Sequence, residues 1–306
     1  MILCAGLSPA WQQIVELTRL QTGHVNRAAA VHWCASGKSL NVASALASLG
    51  VPCYSLCLSG GQQGRQLEQE FLSRNIRAEW VRTASPTRVC TTIVERGSRT
   101  TTELVENAQP ILDPDWQRFL KVYSEATADA RMVVLSGSLP PGVPRDCYAQ
   151  LMARTNVPVV LDARGAEMMA ALPNQPWVIK PNREELSQTV DSPIVSDAEL
   201  VEAMRQLNAR GAQWVVVTNG PEAVWATSAE QVLRCRPPAV VPVNAIGSGD
   251  CLAAGIAWGG HEGRDFSSAL RIGVACAVEN ALQLLPARLE RERVLTRAQE
   301  IEIETC

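Results

Sequence analysis

The chain has 306 residues, with 28 Lys plus Arg against 31 Asp plus Glu and a formal net charge of −3. The charges are unclustered, which excludes the basic footprint of a nucleic-acid binder. Apolar residues at 46% and charged residues at 19% exclude a disordered chain. No apolar stretch approaches the roughly 18 residues of a membrane span, and Met1–Leu7 lacks the regions of a signal peptide, so a cytoplasmic protein is expected. Ten scattered cysteines contain no Cys-x-x-Cys pair and read as buried free thiols. Three histidines are too sparse for a His-rich metal site, so no catalytic zinc is expected.

Short apolar runs alternate with helical patterns along the chain. Ile2–Gly6, Met132–Leu135, Val157–Leu161, Trp177–Ile179 and Trp214–Val217 are apolar on both faces, as in a parallel sheet covered by helices. Leu40–Leu49 is predicted helical and stops at Gly50. Asp197–Arg210 has an acidic first turn and a basic last turn. Asp250–Trp258 and Ser267–Leu285 are apolar, Ala-rich helices that should pack deeply. Ala10–Trp33 and Thr87–Leu104 break this rhythm with Thr, Val and Ile pieces around Thr22-Gly23 and Arg96-Gly97-Ser98, and predict a small antiparallel sheet projecting from the main domain. The whole predicts a three-layer α/β/α domain over residues 1–306, mostly parallel, with that small sheet inserted.

Ligands of open α/β sheets bind beyond the carboxyl ends of the strands. The turn Asn244-Ala245-Ile246-Gly247-Ser248-Gly249-Asp250 runs into a helix, and its successive amides suit an anion. Asp250 is placed there either as a general base for an attacking hydroxyl or as an N-cap. In Cys34-Ala35-Ser36-Gly37-Lys38-Ser39-Leu40-Asn41 a Walker A reading fails, because His32 stands where the first glycine is required. What remains is a helix start with Lys38 and Asn41 facing a polar or anionic ligand, or a solvated lysine. In Lys180-Pro181-Asn182-Arg183-Glu184-Glu185, Asn182 and Glu185 share a helical face. They could hold a hydrated magnesium ion or simply cap the helix. No Gly-x-Gly-x-x-Gly follows a strand, and no Gly-x-Ser-x-Gly elbow is present.

In this order and register, the segments resemble the PfkB (ribokinase-like) carbohydrate kinases over nearly the whole chain, and within them the 1-phosphofructokinase and tagatose-6-phosphate kinase branch. Further matching stretches are Leu7-Ser8-Pro9-Ala10, Gly23-His24-Val25-Asn26-Arg27, Thr87-Arg88, Thr102-Glu103-Leu104 and Leu135-Ser136-Gly137-Ser138-Leu139-Pro140-Pro141-Gly142. The resemblance implies a ribokinase-like domain whose small sheet is a lid, and a homodimer formed through that lid. It implies Asp250 as catalytic base, with Gly247, Ser248 and Gly249 as the anion hole. Asn182 would lie near the phosphates of ATP and Glu185 near the water shell of Mg2+. Thr218 and Gly220 match the nucleotide-side turn, and Asn280 stands at an adenine-side position. Gln12, Gly37, Lys38, Asn41, Ser138 and Arg88 would meet a small-molecule sugar phosphate.

A phosphorylated acceptor also needs cations apart from the nucleotide site, and Lys38, Arg88 and Arg27 can supply them. Three departures bear on specificity. Gln12 replaces the Asp that usually binds sugar hydroxyls, Ser36 and Ser39 flank Gly37-Lys38 where glycines are usual, and Ala223 replaces a glycine of the nucleotide-side turn. The implied reaction is phosphorylation of fructose 1-phosphate or tagatose 6-phosphate. A kinase of an unphosphorylated sugar or nucleoside and a non-catalytic sugar-phosphate sensor are the alternatives.

Overall fold

The computed structural model describes all 306 residues. The strands are β1 (Ile2–Gly6), β2 (Ala10–Leu17), β3 (Ala30–Ser36), β4 (Cys53–Ser59), β5 (Ala78–Arg82), β6 (Arg88–Glu95), β7 (Thr100–Val105), β8 (Met132–Ser136), β9 (Val159–Asp162), β10 (Val178–Ile179), β11 (Trp214–Val217), β12 (Val224–Thr227), β13 (Val232–Cys235) and β14 (Ile303–Thr305). The helices are α1 (Lys38–Ser48), α2 (Gly61–Ser73), α3 (Asp113–Thr127), α4 (Cys147–Met152), α5 (Gly165–Ala171), α6 (Arg183–Val190), α7 (Asp197–Ala209), α8 (Ser248–His261), α9 (Phe266–Ala281) and α10 (Arg291–Glu300).

Ten strands form one sheet in the order β14-β13-β12-β11-β10-β9-β8-β1-β4-β5. From β5 to β11 every pairing is parallel, and β12, β13 and β14 close one edge antiparallel. Alternation along β1 divides the core between the two faces. Ile2 and Cys4 pack with α1, α8 and α9, whereas Leu3 and Ala5 pack with α3, α4 and α7. Burial on both sides explains why these strands read as unbroken apolar runs. No helix is long and apolar enough to cross a membrane.

The small sheet has the order β3-β2-β6-β7. It corrects the expectation of an antiparallel sheet, because its central pair, β2 and β6, is parallel from Ala10↔Arg88 to Leu17↔Glu95. Each hairpin leaves the main domain, turns and returns. The two outgoing strands lie side by side and therefore run the same way. Gln12, Ile14, Cys34, Thr92 and Val94 are buried on one face of this small sheet. Trp11 and Trp33 stack on the other face, where Trp33 is 44% exposed.

Helix bounds shift for local reasons. α1 begins earlier than expected because Gly37, at φ 103°, turns the chain directly into it. α9 ends at Ala281, short of the expected Leu285, because Val243 N and Asn244 N both donate to the Ala281 carbonyl. α8 and α9 approach closely through glycines. A Cβ on Gly255 would lie 2.6 Å from Gly273 Cα and 2.8 Å from its nitrogen. Backbone at that distance cannot swing aside as a side chain can. Gly255→Ala should therefore destabilise the protein by about 1–3 kcal/mol, despite a helix-propensity gain of about 1 kcal/mol. An unchanged urea midpoint would show that the two helices separate freely.

Candidate active site

The carboxyl ends of β1, β8, β9, β10 and β11 open on one edge of the large sheet. The loop Asn244–Gly247 and the first turn of α8 lie over this edge. Gly247 is the N-cap of α8 at φ 83°, a left-handed conformation natural to glycine. No side chain caps this helix. Asp250, 7% exposed, is therefore not the N-cap, and Asn41 Nδ2 donates to its Oδ2 at 2.7 Å. Ser36 Oγ donates in turn to Asn41 Oδ1 at 3.2 Å.

Of the three expected anion-hole amides, Ser248 N is committed to Ala245 O at 3.1 Å. The Gly247 and Gly249 amides have no partner within the chain. A Cβ on Gly249 would meet Lys180 Nζ at 3.3 Å, which places a cation beside these amides.

Behind Asp250 lies an ion cluster. Asp162, at the end of β9, is 1% exposed and receives Lys38 Nζ at 2.9 Å and Lys180 Nζ at 3.3 Å. Lys38 also lies 3.9 Å from Glu185. Burial opposes the Asp162 charge, but Lys180 and Lys38 outweigh it and hold its carboxyl below the usual range. Burial, seconded by the charge of Asp162, lifts Asp250 to about 6, against the opposing pull of Lys38, Asn41 and Lys180. Burial would lower Lys38, but Asp162, Asp250 and Glu185 prevail and raise it.

Asn182 and Glu185 form a reciprocal cap at the start of α6. Asn182 Oδ1 accepts from Glu185 N at 2.8 Å, and Glu185 Oε2 accepts from Asn182 N at 3.0 Å. Asn182 Nδ2 and Glu185 Oε1 are not used in that exchange. No group of three His, Cys, Asp or Glu side chains is placed to hold a metal. A hydrated magnesium ion, which needs few protein ligands, still fits a site with one available carboxylate oxygen.

This geometry can be set against known proteins. The model of the "pfkB family carbohydrate kinase" matches residues 7–287. The chain belongs to the pfkB family of carbohydrate kinases. Among solved structures, a Staphylococcus aureus protein provisionally described as a phosphofructokinase is 26% identical, with a TM-score of 0.82 over 100% of this chain and 99% of that one. A Thermotoga maritima protein provisionally described as a 1-phosphofructokinase is 22% identical, with a TM-score of 0.92 over 100% and 99%. Escherichia coli phosphofructokinase-2 in complex with fructose-6-phosphate is 23% identical, with a TM-score of 0.89 over 98% and 99%. The kinase thus has the ribokinase-like α/β fold with its separate small sheet.

Thr218 bridges to Asn182 at the end of β11, and Gly220 turns the chain two residues later. Ser138 is exposed beyond β8, next to Gly137, whose carbonyl accepts from Tyr148 Oη at 2.5 Å. Gln12, on β2, lies on the buried face of the small sheet, where its Nε2 donates to Thr92 Oγ1 at 2.7 Å. Gly37 packs so closely on the β1–β2 turn that a Cβ would lie 2.9 Å from Pro9 Cα.

Lys38 and Arg88, expected together on a sugar phosphate, are tied to different partners. Lys38 is held by Asp162, whereas Arg88 donates to the carbonyls of Ser8 at 3.2 Å, Pro9 at 3.4 Å and Glu106 at 3.1 Å. Asn280 has no exposed surface, and both ends of its amide are occupied, so it has nothing to offer an adenine ring. Asp162 and Lys180 escaped the sequence reading as functional residues. A polar residue ending a buried strand is the only local signal either one gives.

Two pH effects follow. If Asp250 must be ionised to accept a proton, kcat should fall as pH drops through about 6. Asp162→Asn should move that acid limb to lower pH, since it removes a charge that raises Asp250 and releases both lysines. A limb that stays in place or moves up would break the coupling. The Asp250 value also lies above the ordinary 3.8, so its stability contribution is present at about pH 4 and lost as pH rises through about 6. Asp250→Asn should therefore gain about 2–3 kcal/mol relative to the parent between pH 4 and 7, read from urea unfolding at both pH values.

Proposed function

We propose that this kinase transfers the γ-phosphoryl group of ATP to a ketohexose phosphate, fructose 1-phosphate before tagatose 6-phosphate. The carrying observation is the buried, raised carboxylate of Asp250, bonded to Asn41 and next in sequence to the Gly249 amide with its adjoining lysine. A base whose value lies near neutrality can both accept a proton and remain ionised at working pH.

In the proposed reaction the acceptor hydroxyl gives its proton to Asp250. Its oxygen bonds to the γ-phosphorus as the bond to the ADP oxygen breaks. Asn41 fixes the orientation of the carboxylate. The Gly247 and Gly249 amides and Lys180 offset charge on the transferring group. Asn182, Thr218 and Gly220 take the nucleotide side. Glu185 would hold magnesium through water, and that ion would offset phosphate charge when bound. Gln12, Gly37 and Ser138 take the acceptor side, with Gln12 Oε1 free to accept from a sugar hydroxyl. The lid shields the reaction from water. Its outward face, with Trp33, Val31 and Leu104 exposed beside the Trp11–Trp33 stack, supports a homodimer formed through the lid.

One observation favours a second reading. Lys38 and Arg88, two of the three cations expected at the acceptor phosphate, have intramolecular partners, as suits an unphosphorylated sugar or nucleoside. Magnesium-dependent ADP release decides, with fructose 1-phosphate, fructose 6-phosphate, tagatose 6-phosphate, free fructose and ribose as acceptors. Strong preference for one phosphorylated ketose is expected, with acceptor KM raised by Arg88→Ala. Activity on free sugars alone would overturn the sugar-phosphate reading. Asp250→Asn should lower turnover far more than tenfold, and survival within tenfold, about 1.4 kcal/mol of barrier, would remove Asp250 as the base.

A further inference from the structure

Asn280 lies in the last turn of α9 with its side chain fully buried. Its Nδ2 donates to Ile246 O at 2.9 Å and to Ser248 Oγ at 3.0 Å. Its Oδ1 accepts from Ala287 N at 2.7 Å and from Cys251 Sγ at 3.4 Å. Both donors and both acceptor positions of the amide are therefore used. The two donated bonds straddle Gly247, the residue that holds the left-handed turn into α8. A rotation of Gly247 that re-aimed its amide would displace Ile246 O or Ser248 Oγ and break one of them.

The end of α9 is itself fixed. Glu279, also fully buried, lies 3.4 Å from Arg297 and 3.7 Å from Arg293 of α10, and accepts from Gln283 Nε2 at 3.1 Å. Removing one partner from such a buried ion group is costly, so α10 holds this turn in place. Val243 N and Asn244 N both bond to Ala281 O, and Asn244 Nδ2 donates to Leu284 O at 2.8 Å. The loop before α8 is thus attached along its length to one rigid helix end.

We infer that Asn280 is a positioning residue for phosphoryl transfer: it holds the Gly247–Gly249 turn so that the amides meet the transferring phosphoryl group without rearrangement. The inference rests on the kinase reading above and gives Asn280 a role separate from nucleotide recognition. Preorganised donors act because they need no reorientation as charge develops, and small misplacements cost about 100-fold in rate.

The test compares Asn280→Asp and Asn280→Ala with the parent. Asn280→Asp keeps the shape but removes both donors. Expected are a fall in kcat of roughly 100-fold, KM for ATP and acceptor within threefold, and an unchanged preference for ATP over GTP. A variant that does not fold is replaced by Ser248→Ala, which removes one of the two bonds and should lower kcat with the same KM pattern.

A second readout needs no acceptor. The preference of the protein for ATP over ADP, measured by titration calorimetry, should shrink about two- to threefold in the variants, within the limit set on the ATP KM, while ADP affinity holds. If the parent phosphorylates none of the acceptors, the function reading fails, and this measurement alone decides the role of Asn280. Turnover within threefold of the parent with an intact ATP preference over ADP would overturn the inference. So would an equal loss of ATP and ADP affinity, or a changed ATP-to-GTP ratio, since either marks a nucleotide contact.

Discussion

The site depends on a balance of buried charge, with Lys38 and Lys180 set against Asp162 and Asp250. Ions are costly to bury, and a carboxyl left alone in an interior takes up a proton. Asp162 avoids this because two ammonium groups reach it, at 2.9 and 3.3 Å. Asp250 shares the same two cations only at longer range, and its one direct bond comes from a neutral amide. One carboxylate is therefore held low and its neighbour lifted. Such a divergence of two carboxylates in one pocket separates a fixed counter-ion from a group able to exchange a proton.

The fold delivers these four side chains from four elements. Lys38 opens α1, Asp162 ends β9, Lys180 follows β10 and Asp250 lies in the first turn of α8. Parallel pairing of β8 through β11 brings strand ends to one edge, so residues remote in sequence become neighbours. The close glycine contact between α8 and α9 then sets where the first turn of α8 lies. An error in helix packing well below the site would thus appear as a misplaced carboxylate.

Much of this frame was legible in the sequence, because burial on two faces leaves unbroken apolar runs. Ile2–Gly6 and Trp214–Val217 are strands with the expected bounds, and Asp197–Ala209 carries the expected acidic start with a Ser196–Glu199 cap. The antiparallel edge was not legible. Val232–Cys235 and Ile303–Thr305 are too short to show a period, and their partners are set by tertiary contact. In the site, Asp250, Asn182 and Glu185 stood in local patterns of turn and helix start. Asp162 did not, since its partner Lys38 is 124 residues away. Asn280 was placed on the site by resemblance, yet its buried bonds to the loop depend on where α9 stops, which apolar periodicity overran by four residues.

The same charge balance bears on how phosphate is met. Lys38 and Lys180 already have a carboxylate partner, so on the proposed reading a phosphate entering the site would meet lysines that are held in place. An ammonium group has three donors. Lys38 gives one to Asp162 and can turn the others toward phosphate without leaving it. Sharing of this kind spares the rotamer entropy of recruiting a long side chain at the moment of binding. It also ties Lys38 to Asp162 and Glu185, whereas Arg88 is anchored on the turn after β1. On the proposed reading, affinity for an acceptor phosphate would come from the side of the small sheet, where Arg88 bonds only neutral carbonyls within the chain. Carbonyls bind a guanidinium more weakly than a dianionic phosphate does, so Arg88 is the cation of this pocket whose exchange of partners costs least.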